Sequence, residues 1–231
     1  MKQIKTQNDI AKMFDTIAGK YDFLNNLLSL RQDVRWRNHL VARLPSSTDA
    51  RMLDVATGTG EVIKTAVHKG TKFKEFIGSD ISSGMLDIAK RKIKHPGVKF
   101  RIEQATEIEE ENESLDAVCI SFGLRNVVEP HKALDEFSRV IRKGGKLIVL
   151  EFFKPKSSFM NFLYSVYFRC VLPIIGGMLS NKKAYEYLPE SVQGFMTVED
   201  LSLSMEKIGF KTTMHKDYLF GNCSLVCFEK V

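Results

Sequence analysis

No feature of this sequence constrains its fold more than the run from Arg51 to Gly60, RMLDVATGTG, and the residues Glu61 to His68 that follow it. Met52, Leu53, Val55 and Ala56 make Arg51 to Ala56 a short, largely apolar strand. Gly58 and Gly60 let the backbone turn tightly and approach a ligand closely. The helix predicted at Glu61 to His68 offers its first amides, which have no partner inside the helix, to whatever lies at that turn. Strand, glycine turn and helix in that order open a doubly wound α/β sheet.

The pattern repeats. Glu75 to Ser79 is a second strand ending at Asp80, and Ser82 or Ser83 caps a helix running to Ile93. Val98 to Glu103 and Leu115 to Ser121 are the third and fourth strands. A helix spans His131 to Ile141, Gly144-Gly145 makes a turn, and Lys146 to Phe152 is a fifth strand. Strands alternating with helices at this spacing imply a parallel sheet with helices on both faces. The end breaks the rhythm. Val198 to Ile208 is a helix stopped by Gly209, and Phe210 to Tyr218 and Cys223 to Phe228 are successive strands, hence an antiparallel pair at one sheet edge. The expected fold is α/β and Rossmann-like, with seven strands, mostly parallel, closed by an antiparallel hairpin strand.

Residues 8 to 43 read as helical, with Ile10, Phe14, Ile17, Tyr21, Leu24, Leu27 and Leu28 at helical spacing. Gly19 and Asn25-Asn26 interrupt them, and a second stretch from Val34 to Leu44 ends before Pro45. The chain therefore divides into an N-terminal helical cap, 1–45, and a main domain, 46–231, with an apolar insertion at 152–196. The 231 residues are 44% hydrophobic and 27% charged, which excludes disordered and fibrous classes. The net charge of +6 is spread among 28 acids, so it argues weakly for nucleic acid and equally suits an anionic membrane face. MKQIKTQNDIAKMFD has no apolar run with a cleavage site, so a cytoplasmic protein with free thiols is expected. Ser157 to Asn181 is broken by Arg169, Pro173 and Gly176-Gly177, and reads as buried or interfacial rather than spanning.

The glycine turn selects among ligands. A dinucleotide fingerprint needs a third glycine at position 63, where this chain has Ile63. Asp54 at the strand end is either a turn-stabilising carboxylate or an acceptor for a ligand's ammonium group. Asp80, 20 residues after Gly60, stands where a carboxylate faces ribose hydroxyls. Two carboxylates hinder an anionic cofactor and favour a sulfonium cation carrying an amino acid and an adenosine, which is S-adenosylmethionine.

LDVATGTGE, GSDISSGML, ISFGLRNV and RVIRKGGKLIVLEF together resemble a class I S-adenosylmethionine-dependent methyltransferase. FDTIAGKYDFLN (Phe14 to Asn25), SFGLRNV (Ser121 to Val127) and YEYLPES (Tyr185 to Ser191) narrow the resemblance to the ubiquinone/menaquinone biosynthesis C-methyltransferase family, over about Met13 to Phe228. The resemblance implies methyl transfer to a ring carbon of a polyprenylated quinol. It implies cofactor contacts at Thr59, Asp80, the Gln104-Ala105 pair and Ser121, beside Asp54, Gly58 and Gly60 of the turn. Where the family has Asn-Ala or Asp-Ala this chain has Gln104-Ala105. The loop Glu107 to Glu113 is unusually acidic, and Arg31 and Asp33 stand where the family often has Gly and His.

The methyl donor is already activated, so no metal is expected, and no cluster of His, Cys and carboxylates stands at ligand spacing. Arg125, just past the fourth strand, either stabilises a phenolate and holds a proton-accepting water or sits in a structural ion pair. Asn126 can orient that water. The resemblance places Tyr21 at the site, where periodicity alone makes it a packing residue, and Asp22 can close over it. His131 is a further base in principle, and Cys223 and Cys227 read as packing residues. The segment Phe152 to Leu179, dense in aromatics and bracketed by Lys154, Lys156, Arg169, Lys182 and Lys183, is expected to form an apolar cap for the tail, hinged at Gly176-Gly177. Expected partners are the quinol and a transient contact with the inner membrane face; nucleic acid is not expected, and a homo-oligomer is compatible with the sequence. Rival readings are another lipid or small-molecule methyltransferase of this fold, a nicotinamide oxidoreductase, and a membrane-associated binding module with a dead cofactor site.

Overall fold

Alternation along the central strands builds two cores. On β1 (Arg51–Val55) Met52 faces one side of the sheet and Leu53 and Val55 the other; on β4 (Leu115–Ser121) Ala117 and Cys119 oppose Val118 and Ile120 in the same way. β5 (Ile141–Phe152) and β7 (Cys223–Lys230) continue the pattern, with Leu147, Val149, Val226 and Phe228 on one face and Ile148, Leu150, Leu225 and Cys227 on the other. A sheet apolar on both faces must be covered on both. This computed structural model describes residues 6–154 and 182–231. The expected cap at Phe152 to Leu179, with its glycine hinge, lies almost wholly outside them.

With β2 (Glu75–Asp80), β3 (Val98–Ile102) and β6 (Phe210–Tyr218), the sheet order is β3-β2-β1-β4-β5-β7-β6. All pairings are parallel except those of β7, which runs antiparallel to both β5 and β6. The antiparallel pair expected at the edge is there, with its second strand inserted inside the first. Gly144-Gly145 does not end an element. These residues belong to a β5 that begins at Ile141, and a register shift opposite Leu115 and Ala117 absorbs them as an irregularity.

One face carries α6 (Pro130–Val140) and α8 (Val198–Lys207), packed through Leu134, Phe137, Leu201 and Met205. The other carries α3 (Gln32–Val41) and α4 (Glu61–His68), through Trp36, Leu40, Val62 and Ile63. Ile63 is fully buried and fills the space over Gly78, where an added Cβ would stand 2.9 Å from its Cδ1. The position that is glycine in a dinucleotide fold is here a packing residue. α5 (Ser83–Lys92) is capped by Ser82, whose hydroxyl accepts from Met85 N. α7 (Lys182–Gln193), which carries YEYLPES, is a helix that the periodicity does not announce.

α1 (Gln7–Ile17) and α2 (Tyr21–Leu28) are joined by a helical turn at Ala18–Lys20, so the break expected at Gly19 is found. Asn25 and Asn26 do not break the chain; they lie inside α2. The reversal comes at Leu30 and Arg31, both left-handed at φ 50 and 62. α3 is stapled to the far edge of the sheet: Trp36 stacks on Tyr218 at 5.6 Å between centroids, and His39 Nδ1 lies 2.7 Å from the Tyr218 hydroxyl.

Candidate active site

The carboxyl ends of β1, β2 and β4 meet at one cleft. Gly58 and Gly60 are left-handed, at φ 56 and 82. Ala56 and Phe122, at the ends of β1 and β4, are also left-handed, at φ 52 and 57, although neither is glycine. Non-glycine residues held there cost about 1–2 kcal/mol each and gather where a ligand site fixes the backbone. Gly123 is required by the same crowding, since its Cβ would stand 2.5 Å from that of Ala56.

Asp80 ties the turn to β2. Gly58 N donates to its Oδ2 at 2.8 Å and Ser82 N to its Oδ1 at 2.9 Å. Burial pushes this carboxyl up, against the pull of those amides. Each oxygen keeps acceptor capacity for a further donor. Gly60 does not line the cleft. An added Cβ would come within 2.7 Å of Ile93 Cδ1 and 3.1 Å of Ala89, so its bareness serves the packing of α4 against α5.

The cleft has two lobes. One, about 550 Å³ to its mouth, is lined by Asp80, Met85, Glu103, Ala105, Val127 and Asn126. The other, about 750 Å³, is lined by Asp54, Thr57, Thr59, Asp33, Arg37 and Asn25. Tyr21, Gly58 and Ser121 line both. The Ser121 Oγ and Asn126 Oδ1 atoms are buried and have no hydrogen-bond partner among the described residues.

Asp54 is 1% exposed and accepts one donor on each oxygen: the Thr57 hydroxyl at 2.5 Å and the Cys119 thiol at 3.4 Å. Burial raises its carboxyl to about 7, the two donors opposing and Asp80 adding to the rise. Thr59 turns its hydroxyl toward Asp22 of α2, at 2.5 Å. Lys92 bonds Asp22 as well and reaches Glu61 at 2.8 Å. Further along, Asp15 of α1 accepts from the Ser82 hydroxyl at 2.6 Å and from Gly84 N at 3.0 Å. Helices α1 and α2 are thereby fastened across the ligand end of the sheet.

Several expected residues stand elsewhere than the sequence suggests. Gln104 is exposed and outside both lobes; Ala105 lines the first, and Glu103, 8% exposed, takes the buried place after β3. Side chains alternate along an extended backbone, so a one-residue offset exchanges inside for outside. Arg125 lines neither lobe. Its guanidinium pairs with the fully buried Glu151, donates to Phe122 O at 2.9 Å and lies 5.7 Å from the Phe152 ring centroid. This is the ion-pair alternative for Arg125, while its neighbour Asn126 faces the cleft. His131 lies outside both lobes, in the first turn of α6. Tyr21 keeps its phenol protonated, its pKa raised by burial. Glu151 and Asp15 have no signal in spacing or composition, since each acts through a partner distant in sequence, whereas the i,i+4 relation of Arg37 to Asp33 is visible in the chain.

Six strands running one way, a β7 inserted antiparallel, and a glycine turn clasped by the carboxylate after β2 define the Rossmann-like methyltransferase fold. The chain belongs to the ubiE/COQ5 methyltransferase family, whose profile matches residues 1–229. It is 41% identical to the ubiquinone/menaquinone biosynthesis C-methyltransferase UbiE of Campylobacter jejuni, over 99% of this chain and 100% of that protein. It is 39% identical to the UbiE of Geobacter sulfurreducens, over 96% of this chain and 88% of that one. Among solved structures, geranyl diphosphate C-methyltransferase from Streptomyces coelicolor, crystallised with S-adenosyl-L-homocysteine, superposes with a TM-score of 0.69 at 13% identity, covering 97% of this chain and 98% of that one. That likeness concerns the fold.

Proposed function

We propose that this chain transfers a methyl group from S-adenosylmethionine to a ring carbon of a polyprenylated quinol, demethylmenaquinol or a benzoquinol precursor of ubiquinone. The near full-length match to relatives named for that chemistry carries the reading. The chain's own residues fit the cofactor. Asp80 is fixed by two amides with acceptor capacity left for ribose hydroxyls, Ala105 leaves room beside Glu103 for a purine, and the orphaned Ser121 Oγ awaits a partner. Asp54 and the turn amides face the amino-acid end, and Gly58 and Thr59 shape the floor between.

When bound, the cofactor supplies a methyl group activated on a sulfonium, and the reading therefore includes no metal. The residues of this chain have the remaining work. Asn126 Oδ1 accepts from a ring hydroxyl or from the water that takes its proton. Arg125, neutralised by Glu151, holds the Leu124–Asn126 turn in place and adds a donor-rich wall behind it. Tyr21, between the lobes, excludes water from the reacting centre. Incubation with labelled S-adenosylmethionine and demethylmenaquinol, set against the benzoquinol precursor, tests the reading by product mass. No methylated product from either quinol would refute it.

Among the described residues no helix is long and apolar enough to cross a membrane. The tail-bearing substrate calls for transient surface contact. Phe23 and Leu30, 63% and 76% exposed beside the exposed Lys20, Arg31 and Arg35, are the described residues suited to an anionic bilayer. Binding to anionic vesicles that weakens with salt and is lost in Phe23→Ser/Leu30→Ser is the expected result.

A further inference from the structure

Arg37 is the cation of the second lobe that the proposed chemistry leaves without a task. Lys92 is committed to Asp22 and Glu61, and Lys64 is an exposed side chain on Glu61. Arg37 is 8% exposed and lines the lobe beside Asp54, Thr57 and Gly58. Among the described residues its guanidinium makes one hydrogen bond, from Nη2 to Asp33 Oδ2 at 2.7 Å. Asp33, 3% exposed, is itself held by the Ser29 hydroxyl at 2.6 Å on its other oxygen. A guanidinium has five N–H donors in a rigid fork. Arg37 contributes no atom to the buried unpartnered set, so the donors not used on Asp33 open into the lobe, where an anion can meet them. The Ser29–Asp33–Arg37 chain fixes the direction of the fork, and the turn that presents it carries two left-handed residues, Leu30 and Arg31.

We propose that Arg37, oriented by Asp33, is the receptor for the carboxylate of the cofactor's amino-acid end. The inference rests on the reading of the cleft as an S-adenosylmethionine site and deepens it. Within the lobe the two poles of a zwitterion are then received separately: the ammonium by Asp54 and the carboxylate by Arg37, with Asn25 lining the lobe beside them. A planar fork meets a carboxylate through two parallel bonds, which an ammonium point charge cannot do. Asp33, which fixes the direction of the fork and touches no cofactor atom, is a positioning residue.

The test is calorimetric and needs no turnover. S-adenosylmethionine is compared with its decarboxylated counterpart, S-adenosyl-3-methylthiopropylamine, which keeps nucleoside, sulfonium and amine and lacks only the carboxylate. The wild-type chain should bind the carboxylate-bearing ligand about tenfold to hundredfold more tightly, the scale of a charge-assisted hydrogen bond. Asp33→Asn/Arg37→Gln, which leaves no unpaired buried charge, should close that gap to within about threefold, through loss on S-adenosylmethionine alone. Arg37→Lys keeps the charge without the fork and should retain an intermediate gap. Equal wild-type affinities, or a gap unchanged in both variants, would overturn the proposal. Failure of the double variant to fold leaves the wild-type comparison and Arg37→Lys to decide it. Wild-type protein that binds neither ligand would overturn the cofactor reading instead.

Discussion

The sheet end and the helical layer above it face the same cleft and are held by different means. At the sheet end the geometry is main-chain: Gly58 and Ser82 amides clasp Asp80, Thr57 N bonds Ser79 O at 2.9 Å, and left-handed Ala56 and Phe122 aim the turns. Above it, α1 and α2 are fastened by polar side chains: Asp15 to the start of α5, Asp22 to Thr59 and Lys92. Main-chain bonds fix a shape through the register of neighbouring strands. Side-chain bonds at a half-exposed surface are each worth a fraction of that and can exchange with water. The sheet end is thus held by register, and α1 and α2 by individually weaker polar contacts.

Four substitutions or titrations press on that contrast. The largest effect is expected within the buried pair. Arg125→Ala removes the guanidinium partner of the fully buried Glu151 carboxyl, and should cost about 3–5 kcal/mol of stability in denaturant unfolding. Arg125→Met/Glu151→Gln should recover most of that stability. If the double variant also recovers full turnover at saturating quinol, Arg125 contributes only to folding.

Next is Asp80→Ala, which removes the acceptors proposed for the ribose hydroxyls and releases two turn amides together. Affinity for S-adenosylmethionine should fall about tenfold to hundredfold by calorimetry. An unchanged affinity would detach the clasp from the ligand.

The third concerns protons. Burial holds the Asp54 carboxyl at about 7, above its ordinary 3.8. The folded state therefore binds a proton that the unfolded state lacks between those limits, and stability falls as pH rises through that window. An ammonium placed on Asp54 favours the ionised form, so cofactor binding at about pH 6 should release protons and tighten as pH approaches 7. Calorimetry in buffers of different ionisation enthalpy reads the release directly. Asp54→Asn should abolish it; proton release that persists in that variant would move the ammonium elsewhere.

The smallest expected effect is on the fastened side. Asp22→Asn weakens the Thr59 and Lys92 contacts of a half-exposed carboxylate, a loss of about 0.2–1 kcal/mol. Amide exchange in α1 and α2 should quicken several-fold while the sheet strands hold their protection. Uniform quickening across both regions would erase the distinction between them.

The same contrast separates what is legible in the sequence from what is not. Glu61–His68, Leu115–Ser121 and Phe210–Tyr218 have the bounds that periodicity assigns them, because local pattern and buried register agree there. The insertion of β7 beside β5 is out of reach, since an antiparallel hairpin leaves open which member meets the sheet. Gly144-Gly145 misleads because a bulge and a turn share residue preferences. In the site, Asp80 and the glycine turn are legible as a local motif. The exchange of Gln104 for Glu103, the Glu151 partner of Arg125 and the Asp22–Thr59 bond are not, since each depends on which face a side chain takes or on a residue 26 to 37 positions away.

The stacking of Trp36 on Tyr218 has a consequence for how this protein is made. An early helix leans on a strand edge that exists only once β7 has slotted between β5 and β6. A nascent chain that has emerged through β5 presents an open sheet edge, and its Trp36 rests on Phe122 and Phe152 without the Tyr218 ring that completes the stack. Ribosomal arrest or premature termination before Cys223 would thus yield a chain that holds the lining of the cleft but leaves β5 as an open edge and α3 without its Tyr218 contact, a natural substrate for chaperones and proteases.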